Sequence, residues 1–287
     1  MKLRLGIVGH GFVGKAVEFG FSNPNVEKFI VDPKYDGVAV ATDGYYSDIE
    51  KLKTLDPHLT FVCVPTPMGK DGKIDSSIVE KVVKELKEYT TGLIVIKSTV
   101  TPDIIIKLAT EGYGSSRIIY NPEFLTEKAA NEDFVNPELH VFGGVPGNTK
   151  RLHDFYIKYS NCKPCPVHYM SAVDASFVKY GINSYLASKV LWFNQFYDVI
   201  ENFNGNYSVV LNAMLSDSRI GQSHTSVPGF DGKRGFGGAC FPKDTNAFYN
   251  FDKSFTVLRE VIAVNNALRS SYEKDARELE QNVSYET

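Results

Sequence analysis

Apolar and polar positions follow two different periods along the first half of the chain. Leu3 to Val8 is a short apolar run that predicts a strand, glycines follow it, and Val13 to Phe21 has apolar residues at helical spacing. Similar patterns predict strands at 28–31, 60–64, 93–97, 117–120 and 140–144, and helices at 76–89 and 149–159. This alternation is typical of an α/β protein with a Rossmann-like, doubly wound parallel sheet.

The second half of the chain predicts helices only. Apolar positions at helical spacing from Ala172 to Phe203 predict one long helix, and 206–216 predicts another. Residues 217–241 form a Gly-rich polar loop, and a last helix is expected at about 255–280. Two prolines interrupt the pattern within 161–170. We therefore expect a Rossmann-like domain at 1–165 and an all-helical central domain at 166–287.

Composition narrows the kinds of partner. The 287 residues are 43% hydrophobic and 23% charged, and the formal net charge of -3 gives no long-range attraction for nucleic acid or an anionic membrane, so neither is expected. No apolar run approaches the roughly 20 residues that span a bilayer and no signal sequence is evident, so the expected compartment is the cytoplasm. Four cysteines are too few for a disulfide scaffold.

The glycines after the first strand predict a dinucleotide site. Gly9-His10-Gly11-Phe12-Val13-Gly14 fits G-x-G-x-x-G, whose glycines allow a tight turn, close approach to a pyrophosphate and close helix packing. Asp32 ends the next apolar run, where a carboxylate bonds a ribose hydroxyl and repels a 2′-phosphate. NAD is therefore favoured, although Lys34 keeps NADP open. The alternatives are a glycine turn without a ligand and an ordinary turn residue at Asp32.

A second candidate is the thiol of Cys240, in Gly-Phe-Gly-Gly-Ala-Cys-Phe-Pro-Lys-Asp. A free buried cysteine is usually inert packing. Here the glycines before it and the Pro-Lys-Asp segment after it favour a shaped and partly exposed site, and the cation of Lys243 would favour the thiolate.

Taken with Asp217-Ser218-Arg219-Ile220-Gly221, the cysteine segment resembles the UDP-glucose/GDP-mannose dehydrogenase family. Further segments occur in that family's order and spacing, namely Val64-Pro65-Thr66-Pro67, Lys97-Ser98-Thr99-Val100, Asn121-Pro122-Glu123-Phe124-Leu125, and Lys179 with Asn183. The resemblance covers most of the chain. It implies a four-electron oxidation of a sugar C6 hydroxyl to a carboxylate with two NAD⁺, in which Cys240 forms a thiohemiacetal and then a thioester.

The resemblance also assigns roles. Lys179 and Asn183, four residues apart on a helix, would stabilise charge on a substrate oxygen; otherwise they are a solvated polar stripe. The implied catalytic residues are Cys240, Lys179, Asn183, Asp244, Thr99, Glu127 and Glu123. Asp244 and Thr99 would order water, Glu127 resembles a general acid or base, and Glu123 a partner of the water network. As an alternative, Asp244 caps the next helix.

Binding residues follow in the same way. Those implied for the cofactor are Gly9, Gly11, Phe12, Val13, Gly14, Asp32, Lys34, Val64, Pro65, Thr66, Thr99 and Lys243. Those implied for the substrate are Phe124, Leu125, Glu127, Lys179, Asn183, Arg219, Phe236 and Gly237. Arg219 resembles an arginine that reaches the neighbouring subunit of a homodimer, and alternatively pairs with Asp217. Cys162-Lys163-Pro164-Cys165 has metal-site spacing but no second pair, so no metal is expected.

The sequence departs from the family in four places, one of which is the insertion Asp231-Gly232-Lys233-Arg234 before Gly235. Typical members continue into a third, Rossmann-like domain, whereas this sequence ends at Thr287; a natural two-domain form, a separate partner and a truncated chain all remain open. Ser176 replaces a usual glutamate, and Leu139 a usual arginine. UDP-glucose is the expected substrate, with GDP-mannose or a UDP-N-acetylhexosamine as alternatives. A catalytically silent NAD-binding protein and a two-electron hydroxy acid dehydrogenase remain competing interpretations.

Overall fold

The computed structural model describes residues 2–37, 44–112 and 114–285. The chain forms two compact units, the first from Met1–Thr66 and Asp75–Lys179, and the second from Pro67–Ile74 and Tyr180–Thr287. The second unit therefore takes a short segment from the N-terminal half. The division of the chain at residue 165 expected from its sequence stays a prediction.

The first unit is built on one sheet of eight strands. They are β1 (Leu3–Val8), β2 (Val26–Val31), β3 (Tyr45–Tyr46), β4 (Leu59–Val62), β5 (Leu93–Ile96), β6 (Ile118–Tyr120), β7 (His140–Gly144) and β8 (Val167–Met170). Their order across the sheet is β3-β2-β1-β4-β5-β6-β7-β8, which is a Rossmann-like order that reverses between β1 and β4. Nearly all neighbours are parallel, as predicted.

The register of β1 brings the expected nucleotide loop to one edge of the sheet. Val8 at the end of β1 pairs with Val31 of β2 and with Val62 of β4. Gly9, Asp32 and Cys63 therefore leave the sheet side by side at its carboxyl edge, where open α/β sheets bind ligands. β1, β4 and β5 can be near-continuous apolar runs because helices cover both faces of such a sheet.

Eleven α-helices are present in the described part of the chain. Those of the first unit are α1 (Phe12–Gly20), α2 (Lys51–Leu55), α3 (Ser77–Tyr89), α4 (Pro102–Thr110), α5 (Ala130–Val135) and α6 (Pro146–Tyr159). α7 (Ala172–Asn202) contributes residues to both units, and α8 (Tyr207–Met214), α9 (Phe241–Phe251), α10 (Thr256–Arg269) and α11 (Ala276–Glu280) follow in the second. None of the described helices is both long and apolar enough to cross a bilayer.

The core of the second unit ties the cysteine loop to the long helix. Ala187 and Leu191 of α7 form a buried cluster with Phe236 of the loop. A second cluster joins Phe193 and Ile200, further along α7, to Tyr207 of α8. The loop before Cys240 therefore packs against one face of the long helix.

Four sequence predictions were wrong or incomplete in detail. The sheet is not wholly parallel, because β7 runs antiparallel to β6. β8 was missed because its residues are half-exposed or exposed and lack the apolar run that marks the inner strands. The single last helix is two, since Asp275 adopts an extended conformation and starts α11 with a capping box to Glu278. No range was predicted for the helix α9, and the sequence indicated only a helical stretch that opens at Asp244, whereas α9 begins at Phe241.

Candidate active site

The glycine loop has the three properties that a pyrophosphate site needs. Gly9 has a φ of +87°, which few other residues adopt. A Cβ atom at Gly14 would overlap the carbonyl oxygen of Gly9, so helix α1 can lie close to the turn only with glycine there. A Cβ atom at Gly11 would meet nothing within 4 Å, which leaves its exposed backbone open to a ligand. The helix N-terminus behind it favours anions.

Asp32 lies at the carboxyl end of β2 with its carboxylate held by backbone. Its Oδ2 accepts a hydrogen bond of 2.6 Å from the His10 N–H, and its Oδ1 one of 3.0 Å from the Lys34 N–H. A carboxylate has about four acceptor positions, so capacity remains for a ribose hydroxyl. The Lys34 ammonium is drawn back to the His10 carbonyl oxygen, 2.5 Å away, and lies 3.9 Å from Asp32. These residues fit an unphosphorylated ribose.

A partly buried polar network around His10 was not predicted from the sequence. The ring of His10 bonds Glu18 through Nε2 at 2.8 Å and Tyr35 through Nδ1 at 2.6 Å. Tyr45 donates to the other Glu18 oxygen at 2.7 Å. The bond from His10, more than the opposing effect of burial and with help from Tyr45 and Lys28, lowers the pKa of Glu18 to about 2. The only sequence signal was a histidine inside the glycine fingerprint.

The segments that follow β4 and β5 are joined by a hydrogen bond. Ser98 Oγ donates to the Val64 carbonyl oxygen at 2.7 Å and thereby joins the expected cofactor segment to that of Thr99. Thr66 and Thr99 are both buried, whereas Pro65 is exposed. Burial raises the pKa of the Cys63 thiol to about 12, so this sulfur is not an expected nucleophile.

Lys97 had no assigned role, yet it is one of the most buried cations. Its Nζ donates to the carbonyl and side-chain oxygens of Asn121, both at 3.2 Å, and Tyr156 donates to the same Asn121 side chain at 2.8 Å. Burial lowers the pKa of Lys97. Beside it lies a cavity of about 280 Å³ lined by Lys97, Asn121, Tyr156 and residues of 122–140. Lys97 thus braces the strand end that leads to Glu123.

Glu123 and Lys179 form a buried ion pair in the first unit. Lys179 Nζ lies 2.6 Å from the Glu123 carbonyl oxygen and 3.1 Å from its Oε1, and both side chains are almost fully buried. The other carboxylate oxygen accepts from the Leu125 N–H at 2.7 Å, and the ammonium stands 5.4 Å from the Phe124 ring centre. The interpretation of Lys179 as part of a solvated stripe is therefore wrong. Glu127 is exposed.

In the second unit, Cys240 immediately precedes α9, where the positive end of the helix dipole favours a negatively charged sulfur. Its carbonyl oxygen accepts the Asp244 N–H at 2.8 Å. The Asp244 carboxylate is 1% exposed and accepts from Asn183 Nδ2 at 2.7 Å and from Lys243 Nζ at 2.5 Å. The Lys243 cation is therefore paired with Asp244. The expectation of Asp244 as a helix cap is wrong, because the capping position is Cys240.

The remaining residues expected to bind the substrate differ in their exposure to solvent. Phe236 is buried and Gly237 half-buried in the loop before Cys240. Arg219 is exposed and pairs with Asp217 at 2.5 Å, which is the alternative contact considered from the sequence.

Cys162 lies in an irregular segment and donates to the Phe134 carbonyl oxygen at 3.1 Å. Burial raises the pKa of both Cys162 and Cys165.

The structure thus assembles two groups of expected residues. The first unit holds the nucleotide loop, Asp32, the Val64 and Thr99 segments, and the Glu123–Lys179 pair. The second holds Cys240 with Asp244, Asn183 and Lys243. The first group includes a glycine loop of the kind that binds dinucleotides, and the second places a thiol at a helix start with a buried carboxylate in the following turn.

Two regions of the chain match models of one protein family. Residues 45–159 match the NAD binding domain of the UDP-glucose/GDP-mannose dehydrogenase family, and residues 173–267 match its central domain. The two matches cover most of the chain. The first unit is therefore an NAD-binding unit, which agrees with the geometry of Gly9, Gly11, Gly14 and Asp32.

Several proteins that are similar to this chain are named as UDP-glucose dehydrogenases. The chain is 28% identical to a UDP-glucose 6-dehydrogenase of Bacillus subtilis over 93% of this chain and 63% of that protein. It is 34% identical to the UDP-glucose 6-dehydrogenase of Rickettsia felis over 78% of this chain and 50% of that protein. A solved UDP-glucose dehydrogenase from Pyrobaculum islandicum superposes with a TM-score of 0.76 at 26% identity, covering 93% of this chain and 68% of that one. The chain thus spans about half to two thirds of these relatives.

Proposed function

The chain belongs to the UDP-glucose/GDP-mannose dehydrogenase family, and we propose that it catalyses the NAD⁺-dependent oxidation of a nucleotide sugar to the corresponding acid. The observation that carries this proposal is Cys240 at the start of α9, with the buried Asp244 held in the first turn by Asn183 and Lys243. A two-electron dehydrogenase has no need of a nucleophilic sulfur, and a binding module has no need of a buried carboxylate beside one.

The cofactor would be held by the glycine loop and Asp32. The open backbone at Gly11 would receive the pyrophosphate, and the remaining acceptor positions of Asp32 a ribose hydroxyl. When bound, NAD⁺ supplies the acceptor for the hydride in both oxidation steps. The Ser98–Val64 bond holds the segments of Thr99 and Val64 in a fixed relation beside that site.

The residues of the chain supply the remaining chemistry. The Lys179 ammonium would donate to the substrate oxygen as negative charge develops on it during loss of the hydroxyl proton. Glu123 pairs with this buried cation and orients it through its carboxylate and carbonyl oxygens. A lysine held in this way has few rotamers left, so its side-chain entropy is lost when the chain folds and not when the substrate binds.

The covalent steps fall to Cys240. Its sulfur adds to the aldehyde carbon and forms a thiohemiacetal, whose oxidation leaves a thioester. Water then adds to the thioester carbon, the carbon–sulfur bond breaks, and the acid and the thiol are released. Asp244 would accept the proton of that water, and the Asn183 amide keeps its carboxylate oriented.

UDP-glucose is the substrate that the similar proteins favour, since both curated relatives are named UDP-glucose 6-dehydrogenases. GDP-mannose and a UDP-N-acetylhexosamine are the alternatives within the family.

Because Ser176 is fully buried and donates to the Val100 carbonyl oxygen at 2.7 Å, its role is explained by packing and it is not an expected substrate contact.

We also propose a homodimer that uses the exposed face of α7. Tyr185, Trp192 and Val199 are seven residues apart and each is more than half exposed, and the exposed Phe203 directly follows the end of α7. Seven-residue spacing places apolar groups in one stripe along a helix, which is the pattern of a helix that packs on a second helix. A second copy of the chain, with an identical stripe, would cover it.

The test of the proposed reaction counts electrons. The full chain is incubated with NAD⁺ and each of UDP-glucose, GDP-mannose and UDP-N-acetylglucosamine, and NADH formed per sugar consumed is measured for wild type and Cys240→Ser. Two NADH per sugar in the wild type and a halt in the variant are expected. One NADH per sugar in both proteins would indicate a two-electron enzyme, and NAD binding without turnover would indicate a silent module.

A further inference from the structure

The glycine loop before Cys240 packs directly on a buried ion pair near the C-terminal end of the chain. A Cβ atom at Gly237 would overlap Arg269 Nη2 and lie 2.5 Å from Glu278 Oε1. Arg269 and Glu278 are joined at 2.9 Å, and both side chains are inaccessible to solvent. Backbone and charge are so close at this point that no side chain fits between them.

Glu278 holds the loop through its backbone. Its Oε1 accepts the Gly238 N–H at 3.0 Å, the Arg269 guanidinium at 2.9 Å and the Tyr285 hydroxyl at 2.6 Å. Its Oε2 accepts the Asp275 N–H at 2.9 Å. Burial alone would raise the pKa of Glu278, but the bonds from Tyr285, Asp275 and Gly238 and the charge of Arg269 outweigh it, and the pKa is lowered. An ionised carboxylate is thus the anchor.

The same arginine bonds the start of the loop. Arg269 Nη1 donates to Asp231 Oδ2 at 2.7 Å and its Nη2 to Glu278, so it links Asp231 to the carboxylate that holds the Gly238 N–H. Between them, Asn265 of α10 bonds both the N–H and the carbonyl oxygen of Phe236, at 2.7 and 3.0 Å. The path of the chain into Cys240 is therefore set by side chains of α10 and of the segment that follows it.

The C-terminal segment is itself fixed to the rest of the second unit. Met68, Val283 and Tyr285 form a buried cluster, and the Met68 N–H donates to the Gln281 carbonyl oxygen at 2.9 Å. Residues 270–285 lie beyond the family match, which ends at residue 267. Neither Glu278 nor Tyr285 is therefore among the residues that the match assigns to the central domain.

We propose that Arg269, Glu278 and Tyr285 are positioning residues for Cys240, so that residues 269–285 determine the position of the nucleophilic sulfur. Gly238 is two residues before Cys240, and its N–H is fixed to Glu278, so a shift of the carboxylate shifts the start of α9 with it. The kinetic consequence of the proposal rests on the proposed function; its structural consequence, the reactivity of the Cys240 thiol, does not.

Two variants and a matched control test the proposal in the full chain. Glu278→Gln replaces one acceptor oxygen by an amide donor in a site that offers four donors, and Tyr285→Phe removes one donor alone. Glu280→Gln is the control, because it makes the same chemical change two residues away on α11, where the Glu280 carboxylate is exposed and pairs with the partly buried Arg277. Folding of each is checked by far-UV circular dichroism and thermal melting.

The first readout is the rate at which iodoacetamide labels Cys240, followed by mass spectrometry of its peptide at fixed pH. We expect the rate to fall at least fivefold in Glu278→Gln and two- to threefold in Tyr285→Phe, because the sulfur loses its place at the helix start, and to stay within 1.5-fold in Glu280→Gln. The second readout is turnover, in which kcat falls at least tenfold in Glu278→Gln while the KM for NAD⁺ stays within twofold.

Unchanged labelling in both Glu278→Gln and Tyr285→Phe would overturn the proposal, and so would an equal loss in Glu280→Gln. If Glu278→Gln does not fold, Tyr285→Phe decides alone. If the wild type shows no turnover with any nucleotide sugar, the proposed reaction fails, and the labelling rates still decide whether these residues position Cys240.

Discussion

The amide of Asn183 donates a 2.7 Å hydrogen bond to Oδ2 of the Asp244 carboxylate, which is 1% exposed. The residues are 61 positions apart, and the bond joins the long helix to the first turn after Cys240. The Lys243 ammonium pairs with the other oxygen of the same carboxylate, and this attraction offsets part of the desolvation free energy of burying the charge. The carboxylate in the first turn after the expected nucleophile is therefore held at both of its oxygens.

Asp244→Asn tests the importance of that carboxylate. It leaves the Lys243 ammonium buried without a counter-charge, so we expect the free energy of unfolding to fall by about 3–5 kcal/mol. Loss of a group that accepts a proton from water lowers kcat by about 100-fold or more. Urea unfolding and NADH formation measure the two effects. Asp252→Asn, at an exposed position directly after α9, is the control, with a change of about 0.5 kcal/mol.

Lys179→Met tests the buried ion pair of the first unit. Without the ammonium, Glu123 is left buried and uncompensated, and we expect a loss of about 3 kcal/mol in unfolding free energy together with a large fall in kcat. Affinity for NAD⁺, measured by fluorescence titration, should change less than twofold. Lys81→Met is the control, since its side chain is 77% exposed and its ion pair is 4.0 Å long. Equal stability losses in both variants would contradict the assignment.

Gly11→Ala and Gly14→Ala separate cofactor binding from folding. A Cβ at Gly14 collides with the Gly9 backbone, so this variant should unfold at a lower temperature. A Cβ at Gly11 meets nothing within 4 Å, so the melting temperature should hold while the Kd for NAD⁺ rises about tenfold or more. Gly147→Ala, at another open glycine, in the first turn of α6, should leave the Kd for NAD⁺ unchanged and should not lower the melting temperature. Unchanged NAD⁺ affinity in Gly11→Ala would remove the pyrophosphate from this loop.

The lowered pKa of Glu18 predicts a loss of stability in acid. Its folded pKa of about 2 is below that of the unfolded chain, so the unfolded state binds more protons between these values. The contribution is complete above about pH 5 and is lost as the pH falls toward 2. Because Glu18 is partly exposed, we expect roughly 2 kcal/mol, with solvent screening allowed for.

Urea unfolding at several pH values between 2 and 6 checks this expectation. In Glu18→Gln the slope of unfolding free energy against pH should become shallower over that window. Glu27→Gln, at an exposed position on β2, should keep the wild-type slope. The same slope in all three proteins would show that the His10–Glu18 bond contributes nothing to stability.

Trp192→Glu tests the proposed dimer face. A carboxylate in the middle of the apolar stripe would have to be desolvated at a helix–helix contact, so the dimer dissociation constant should rise about tenfold or more. Mass measurement by light scattering across a dilution series follows the change. Val257→Glu, at an exposed position of α10, should leave the mass unchanged. A wild type that is monomeric at every concentration would exclude the dimer.

Local features of this protein were determined by the sequence itself. The apolar run of β1, the glycine turn and α1 were predicted because their signals lie within about 20 consecutive residues. The long helix was predicted at 172–203 and lies at Ala172–Asn202, since one uninterrupted apolar period specifies it. Buried strands were found for the same reason, whereas the half-exposed β8 carried no such signal.

Contacts between distant residues were decided only by the tertiary structure. Whether Lys179 is a solvated cation or the partner of Glu123, and whether Asp244 caps a helix or receives Asn183, depends on residues 56 and 61 positions away. The sequence showed which residues were chemically able to act, but a free charge and a paired charge have the same local pattern. Burial makes the difference, because a charge removed from water must find a partner, and only the folded chain brings that partner within reach.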